Sequence, residues 1–214
     1  KITGCRTLHC DAGWRNFSFL ELQTDDDLVG ISEYNESYGS KGLTAVIEAL
    51  VDAITGDDAC RHEFVSQKLY AMTRQAHGGL NQQAIAAIEN AMLDIKAKSL
   101  TVPVYDLLGG AVRTELPLYW SHCGTYRMSE ENSKAMGRPH FTKLDDLVEL
   151  GAEVRERGFK ALKTNIFLFD EDPNRHFPGF ARGPGWPELN ANKRLVDALR
   201  AQLTAFREGA GPDM

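Results

Sequence analysis

Asn16-Phe17-Ser18-Phe19-Leu20-Glu21-Leu22 alternates apolar and polar positions, Asp25-Asp26-Asp27 interrupts the alternation, and Leu28-Val29-Gly30-Ile31-Ser32-Glu33 resumes it. A period of two puts successive side chains on opposite faces of a strand, and an acidic triplet is turn chemistry. Residues 2–34 are therefore expected to form an antiparallel meander of three strands with short connections. The period then lengthens. Residues 43–54, 61–75 and 81–98 repeat their apolar positions every three to four residues, which predicts three helices, the last one announced by Gly79 and Asn81. Strands followed by helices define an α+β unit.

Beyond Pro117 the two periods take turns. The pattern predicts a strand at 118–121, a helix at 144–157, a strand at 159–165 and a helix at 190–206. Strand and helix in alternation mean parallel pairing through crossover helices. Residues 166–189, rich in Pro, Gly and Phe, are expected to be a long loop, a length that usually serves as a lid or binding loop. The expected domains are thus 1–116 and 117–214. Two parallel strands need neighbours on both sides, and Gly209 to Met214 has the turn residues that introduce another strand. The chain reads as incomplete, with further strands expected after Met214.

Composition narrows the function classes. In 214 residues, 43% are hydrophobic and 25% charged, ordinary values for a globular protein. A formal charge of -6 and an isoelectric point near 5.5 argue against a nucleic-acid or anionic-membrane surface. Cys5, Cys10, Cys60 and Cys123 show no paired spacing, so neither a zinc knot nor a redox dithiol is expected. No apolar run approaches the roughly 18 residues of a membrane span, and no signal peptide is visible. A cytoplasmic location is the expectation.

The predicted strand at 159–165 carries the main candidate chemistry. Alternation puts Phe159, Ala161, Lys163 and Asn165 on one face, and a lysine on an apolar-facing side loses hydration and needs a carboxylate, a carbonyl or a catalytic task. Lys163 is a candidate active-site residue, the alternative being a structural ion pair.

A longer match gives this strand a context. Ala84-Ile85-Ala86-Ala87-Ile88-Glu89-Asn90-Ala91-Met92-Leu93-Asp94-Ile95-Lys96-Ala97-Lys98, followed by Pro103-Val104-Tyr105-Asp106-Leu107-Leu108-Gly109-Gly110, resembles the signature helix and turn of the mandelate racemase and muconate lactonizing enzyme family, within the enolase superfamily. Met92 departs from the family's usual Leu or Ala, a volume-tolerant change. The signature itself is structural: alanines for close helix packing, an Asp94–Lys98 pair at (i, i+4), and glycines for a tight exit.

The resemblance implies an α+β capping domain followed by the first part of a modified (β/α)₈ TIM barrel, in which chemistry sits at the C-terminal ends of the strands. It puts Lys163 and Asn165 there as catalytic residues. Where the family often has Lys-x-Lys this chain has Lys-Thr-Asn, and an amide cannot act as a base. That is similar to acid-sugar, galactonate-like dehydratases. The resemblance then implies Mg²⁺ as cofactor, with its carboxylate ligands and the general base C-terminal to Met214, none within 1–214; Asp213 is not one of them. It further implies a small acid-sugar substrate and a homo-oligomer, while the acidic balance already argues against a nucleic-acid or membrane partner.

Other candidates follow from the same comparison. The loop Asp11–Asn16 corresponds to a mobile capping segment, making Trp14 and Arg15 substrate-binding candidates, with a surface role as alternative. Tyr34 and Asn35, with the segment to Tyr38, are expected to face the barrel mouth. Of the pairs Ser121/Cys123 and Trp120/His122 only one faces inward, and His122 is the candidate substrate contact. Arg175 and His176 are expected to be solvated or to meet a carboxylate or another subunit. Three functions remain: a Mg²⁺-dependent acid-sugar dehydratase, a racemase, epimerase or cycloisomerase, and a non-catalytic relative acting in assembly.

Overall fold

A computed structural model describes residues 1–13, 15–37, 40–170, 172–176 and 191–214. The chain divides into two compact units, Lys1–Thr114 and Glu115–Met214.

In the first unit, strands β1 (Ile2–Asp11), β2 (Asn16–Thr24) and β3 (Val29–Tyr34) form an antiparallel sheet in the order β1-β2-β3. Ser18 pairs with Tyr34, Leu20 with Ser32 and Leu22 with Gly30, all buried, so one face of the sheet is the core face. Helices α1 (Leu43–Asp52), α2 (His62–Met72) and α3 (Gly79–Ser99) close over it. Leu20, Leu22, Ile47, Leu69, Ile88 and Met92 are fully buried there.

The signature helix α3 is fastened to β3 by its polar pair as well as by its alanines. Asp94 and Lys98 bond each other at 2.7 Å. Asp94 also accepts from Ile31 N at 2.8 Å, and Lys98 donates to Val29 O at 2.7 Å, so the pair satisfies backbone groups on the free side of β3. Gly30 allows the approach: a Cβ there would lie 2.0 Å from Ala91 O. Ala87 and Ala91 are buried, whereas Ala86 is exposed. A short helix α4 (Val104–Leu107) precedes Gly109 and Gly110, whose φ values of 106° and 91° suit the expected tight exit.

In the second unit, β4 (Tyr119–Trp120) and β5 (Ala161–Leu162) pair in parallel, connected through a 3₁₀ turn at Thr125–Met128, helix α5 (Glu130–Ala135) and helix α6 (Asp145–Glu156). The predicted strand at 159–165 is thus much shorter, although Lys163 N to Trp120 O at 2.9 Å and Cys123 N to Lys163 O at 2.8 Å continue the ladder. Part of the expected long loop is a hairpin, β6 (Ile166–Leu168) with β7 (Asn174–His176), for which the apolar run at Ile166 was a legible signal. Residues 177–190 of that loop lie outside the described residues. Helix α7 (Lys193–Ala210) packs against α6.

That helix pair crosses at two glycines. A Cβ on Gly209 would come within 1.8 Å of Val148 O, and one on Gly151 within 2.5 Å of Phe206 O. Backbone meets backbone at this crossing, which only Gly permits. Above it, Phe141, Leu147, Leu150, Val154, Phe167 and Phe206 form the second core.

Candidate active site

Register decides which face Lys163 occupies. Tyr119 pairs with Ala161 and Trp120 with Leu162; Trp120 and Leu162 pack on the second core, while Tyr119, Ala161 and Lys163 are exposed on the opposite face. Lys163 thus points away from the second core, on the face that these two strands leave open among the described residues. Phe159 does not share its face: regular pairing begins only at Ala161, and Phe159 stacks against Trp120 with ring centroids 5.5 Å apart. No carboxylate meets the Lys163 ammonium among the described residues, so the structural ion pair is absent there.

Asn165 is held at both its side chain and its backbone. Its Oδ1 accepts from Thr125 Oγ1 at 2.9 Å, and its backbone carbonyl accepts from Gln202 Nε2 at 2.8 Å. Gln202 is fully buried on α7, and its Oε1 in turn accepts from Phe167 N at 2.8 Å. The amide thus substitutes for a strand neighbour where the chain leaves β5. Thr164 Oγ1 donates to Cys123 O at 2.7 Å, tying the same turn to the end of β4.

His122 has φ 52°, a left-handed conformation that breaks strand alternation just after β4. Its ring is exposed, with Nδ1 3.0 Å from Ser121 Oγ and the centroid 6.0 Å from Tyr126. The inward/outward choice between Ser121/Cys123 and Trp120/His122 thus does not apply as expected. Cys123 is buried in the second core, and burial pushes its thiol up to about 12. Arg175, on β7, reaches Thr125 O with Nη1 at 3.3 Å.

In the first unit, Trp14 and Tyr38 lie outside the described residues. Arg15 sits 4.3 Å over the Phe17 ring and 3.9 Å from Glu33. Tyr34, expected at the barrel mouth, is instead buried in the first core, because its position alternates with exposed Glu33 and Asn35. Its hydroxyl meets Thr44 Oγ1 at 2.8 Å, and burial pushes its phenol above the usual value. Asn35 is exposed; its Oδ1 accepts from Ser37 N at 3.0 Å, and Ser37 Oγ donates to Asn16 O at 2.8 Å. Arg15 and Asn35 therefore flank two segments that are joined to each other.

One group of residues assembles metal-type donors. His62, Glu63 and Glu89 have ligand atoms within 4.8 Å of one another in the first unit. The imidazole makes this a poor match to Mg²⁺, which favours oxygen donors and water. No helix among the described residues is long and apolar enough to cross a membrane.

A three-stranded sheet covered by helices, followed by a strand–helix–strand unit with parallel pairing, is a capping domain leading into a β/α barrel. Residues 10–109 match the family model described as "Mandelate racemase / muconate lactonizing enzyme, N-terminal domain". The chain carries the capping domain of that family, within the enolase superfamily, and galactonate dehydratases are among its relatives.

Against the D-galactonate dehydratase of Pectobacterium atrosepticum it is 37% identical over 130 residues, 61% of this chain and 33% of the relative. Against that of Xanthomonas euvesicatoria it is 35% identical over 119 residues, 56% of this chain and 30% of the relative. A crystal structure from Burkholderia xenovorans, provisionally named L-alanine-DL-glutamate epimerase, superposes with TM-score 0.88 at 47% identity, covering 100% of this chain and 53% of that one. The same protein has been crystallised with magnesium and fumarate. The chain spans about a third of the curated relatives and about half of the solved structure.

Proposed function

We propose that the protein dehydrates an acid sugar, an aldonate or aldarate, to a 2-keto-3-deoxy acid. The observation that carries this reading is Asn165, between β5 and β6, where a lysine-based racemase of the family would have its second lysine. Names of relatives point the same way, D-galactonate being the substrate they print.

In this reading Lys163, exposed and without a carboxylate partner among the described residues, is the cation for the substrate's carboxylate as negative charge builds on it. Removal of the proton α to the carboxylate puts its electron pair into an enediolate. Expulsion of the β-hydroxyl, with a proton, as water then leaves an enol that tautomerises to the keto acid. Asn165 binds a substrate oxygen and moves no proton, so the base lies elsewhere. Mg²⁺, when bound, supplies Lewis-acid charge stabilisation; the His62 group does not suit it, and no step here depends on that group. The proposal assigns Trp14, Arg15, Asn35 and His122 to substrate recognition and drops Tyr34. It also takes the protein to be a cytoplasmic homo-oligomer that binds neither nucleic acid nor membrane.

Racemisation or epimerisation is the second reading, favoured by the provisional epimerase name of the 47% identical structure. A screen of aldonates and aldarates with the full-length protein separates the two. Keto-acid product that falls about 10²–10³-fold in Lys163→Ala supports dehydration; an epimerised substrate without keto acid supports the second reading.

A further inference from the structure

We propose that Thr125 and Gln202 are positioning residues that hold the Asn165 carboxamide with its NH₂ group outward, so that the site recognises its ligand through a hydrogen-bond donor at this position. The proposal rests on the dehydratase reading for the ligand's identity, but its geometry stands apart from it.

Thr125 is buried, only 1% exposed. A buried hydroxyl hydrogen needs an acceptor, and the one within reach of Oγ1 is Asn165 Oδ1 at 2.9 Å. Reversing the amide would put two donors against each other unless the hydroxyl turned away, and it would then be buried without an acceptor. The orientation is thereby fixed by the partner, which is the proper ground for assigning an amide. What remains of the carboxamide is Nδ2. It has no partner among the described residues, and Asn165 is only partly buried.

Gln202 fixes the other end of the residue. One side-chain amide spans Asn165 O and Phe167 N, both at 2.8 Å, and thereby sets the backbone direction from which the Asn165 side chain departs. Arg175 adds a bond from Nη1 to Thr125 O at 3.3 Å, so the anchor of Oδ1 is itself tied to β7. A donor held this way suits a carboxylate or hydroxyl oxygen of an acid sugar. It gives no acceptor to a ligand ammonium.

The test uses the full-length protein with Mg²⁺ and D-galactonate as probe. Thr125→Val keeps the shape and removes the hydroxyl, so the Asn165 amide loses its orientation; KM rises about tenfold while kcat changes less, and Thr125→Ser restores KM. Gln202→Glu, which keeps an acceptor for Phe167 N and removes the donor to Asn165 O, is the second variant and is read in the same way. The second measurement is independent of turnover: the Asn165 side-chain NH₂ pair, identified by its loss in Asn165→Asp, is one sharp pair in wild type and broadened or doubled in Thr125→Val. An unchanged pair in both Thr125→Val and Gln202→Glu, or an unchanged KM in both, overturns the proposal. Absence of keto acid from every acid sugar with wild type overturns the dehydratase reading instead, and the NH₂ pair then still decides the positioning.

Discussion

At the scale of single residues, the pair that follows β5 combines one cation with one neutral amide. Lys163 is exposed, and Asn165 has its oxygen occupied by Thr125 Oγ1 at 2.9 Å. Replacing the amide by a carboxylate keeps an acceptor for Thr125 and turns the outward donor into an anion facing an anionic substrate. Asn165→Asp is therefore expected to lower kcat/KM for an acid sugar about 10²–10³-fold with the melting temperature nearly unchanged, measured by steady-state kinetics beside thermal unfolding. Lys163 and Asn165 became a candidate pair only once the signature helix at Ala84 to Gly110 gave Lys-Thr-Asn a barrel context. Gln202 was not, because an amide in an amphipathic helix is ordinarily assigned to the solvent face. Its one signal is spacing: Leu195, Gln202 and Gly209 recur every seven residues along the buried stripe of α7. The positive φ of His122 had no signal in the residue type, since histidine only occasionally adopts that conformation.

At the scale of elements, α6 and α7 depend on a crossing without side chains. Gly209→Ala would force a Cβ to within 1.8 Å of Val148 O, and neither helix backbone yields cheaply. A loss of about 3 kcal/mol is expected, read from denaturant unfolding. The same unit is held by Glu153, which bonds Arg127 at 2.8 Å and Arg157 at 2.7 Å, with Arg138 at 3.7 Å. Burial pushes its carboxyl up, but the Arg127 hydrogen bond and the three guanidinium charges outweigh this and hold it below the usual range. A depressed folded value means that the unfolded chain binds the proton first. The contribution of Glu153 is then complete above the unfolded value near 4.3 and disappears as pH falls through the folded one. Glu153→Gln should lower stability by about 1–2 kcal/mol at pH 7 and should flatten this acid limb, as followed by unfolding between about pH 3 and 7.

At the scale of the molecule, the capping unit was the more legible half. Its meander and three helices are local patterns of period two and three to four, and local patterns survive tertiary context when one face is buried throughout. The signature helix named a family, yet the task of its polar pair became visible only with β3 beside it, where Asp94 and Lys98 meet Ile31 N and Val29 O. The second unit was harder to read because parallel partners come from distant segments: β4 and β5 are two residues each, and Gln202 completes the backbone bonding where β5 ends. Tyr34 was misjudged for a related reason. Its place at the end of a strand suggested an opening, whereas the parity it shares with buried Ser32 turns it inward.

Dehydration against epimerisation is decided most directly by proton NMR of the full-length protein with Mg²⁺ and a panel of aldonates and aldarates, D-galactonate first, in D₂O. The dehydratase reading predicts a 2-keto-3-deoxy acid carrying one deuteron at C3, delivered when the enol tautomerises. Deuterium at C2 of an intact substrate or its epimer, with no keto acid from any member of the panel, would contradict it.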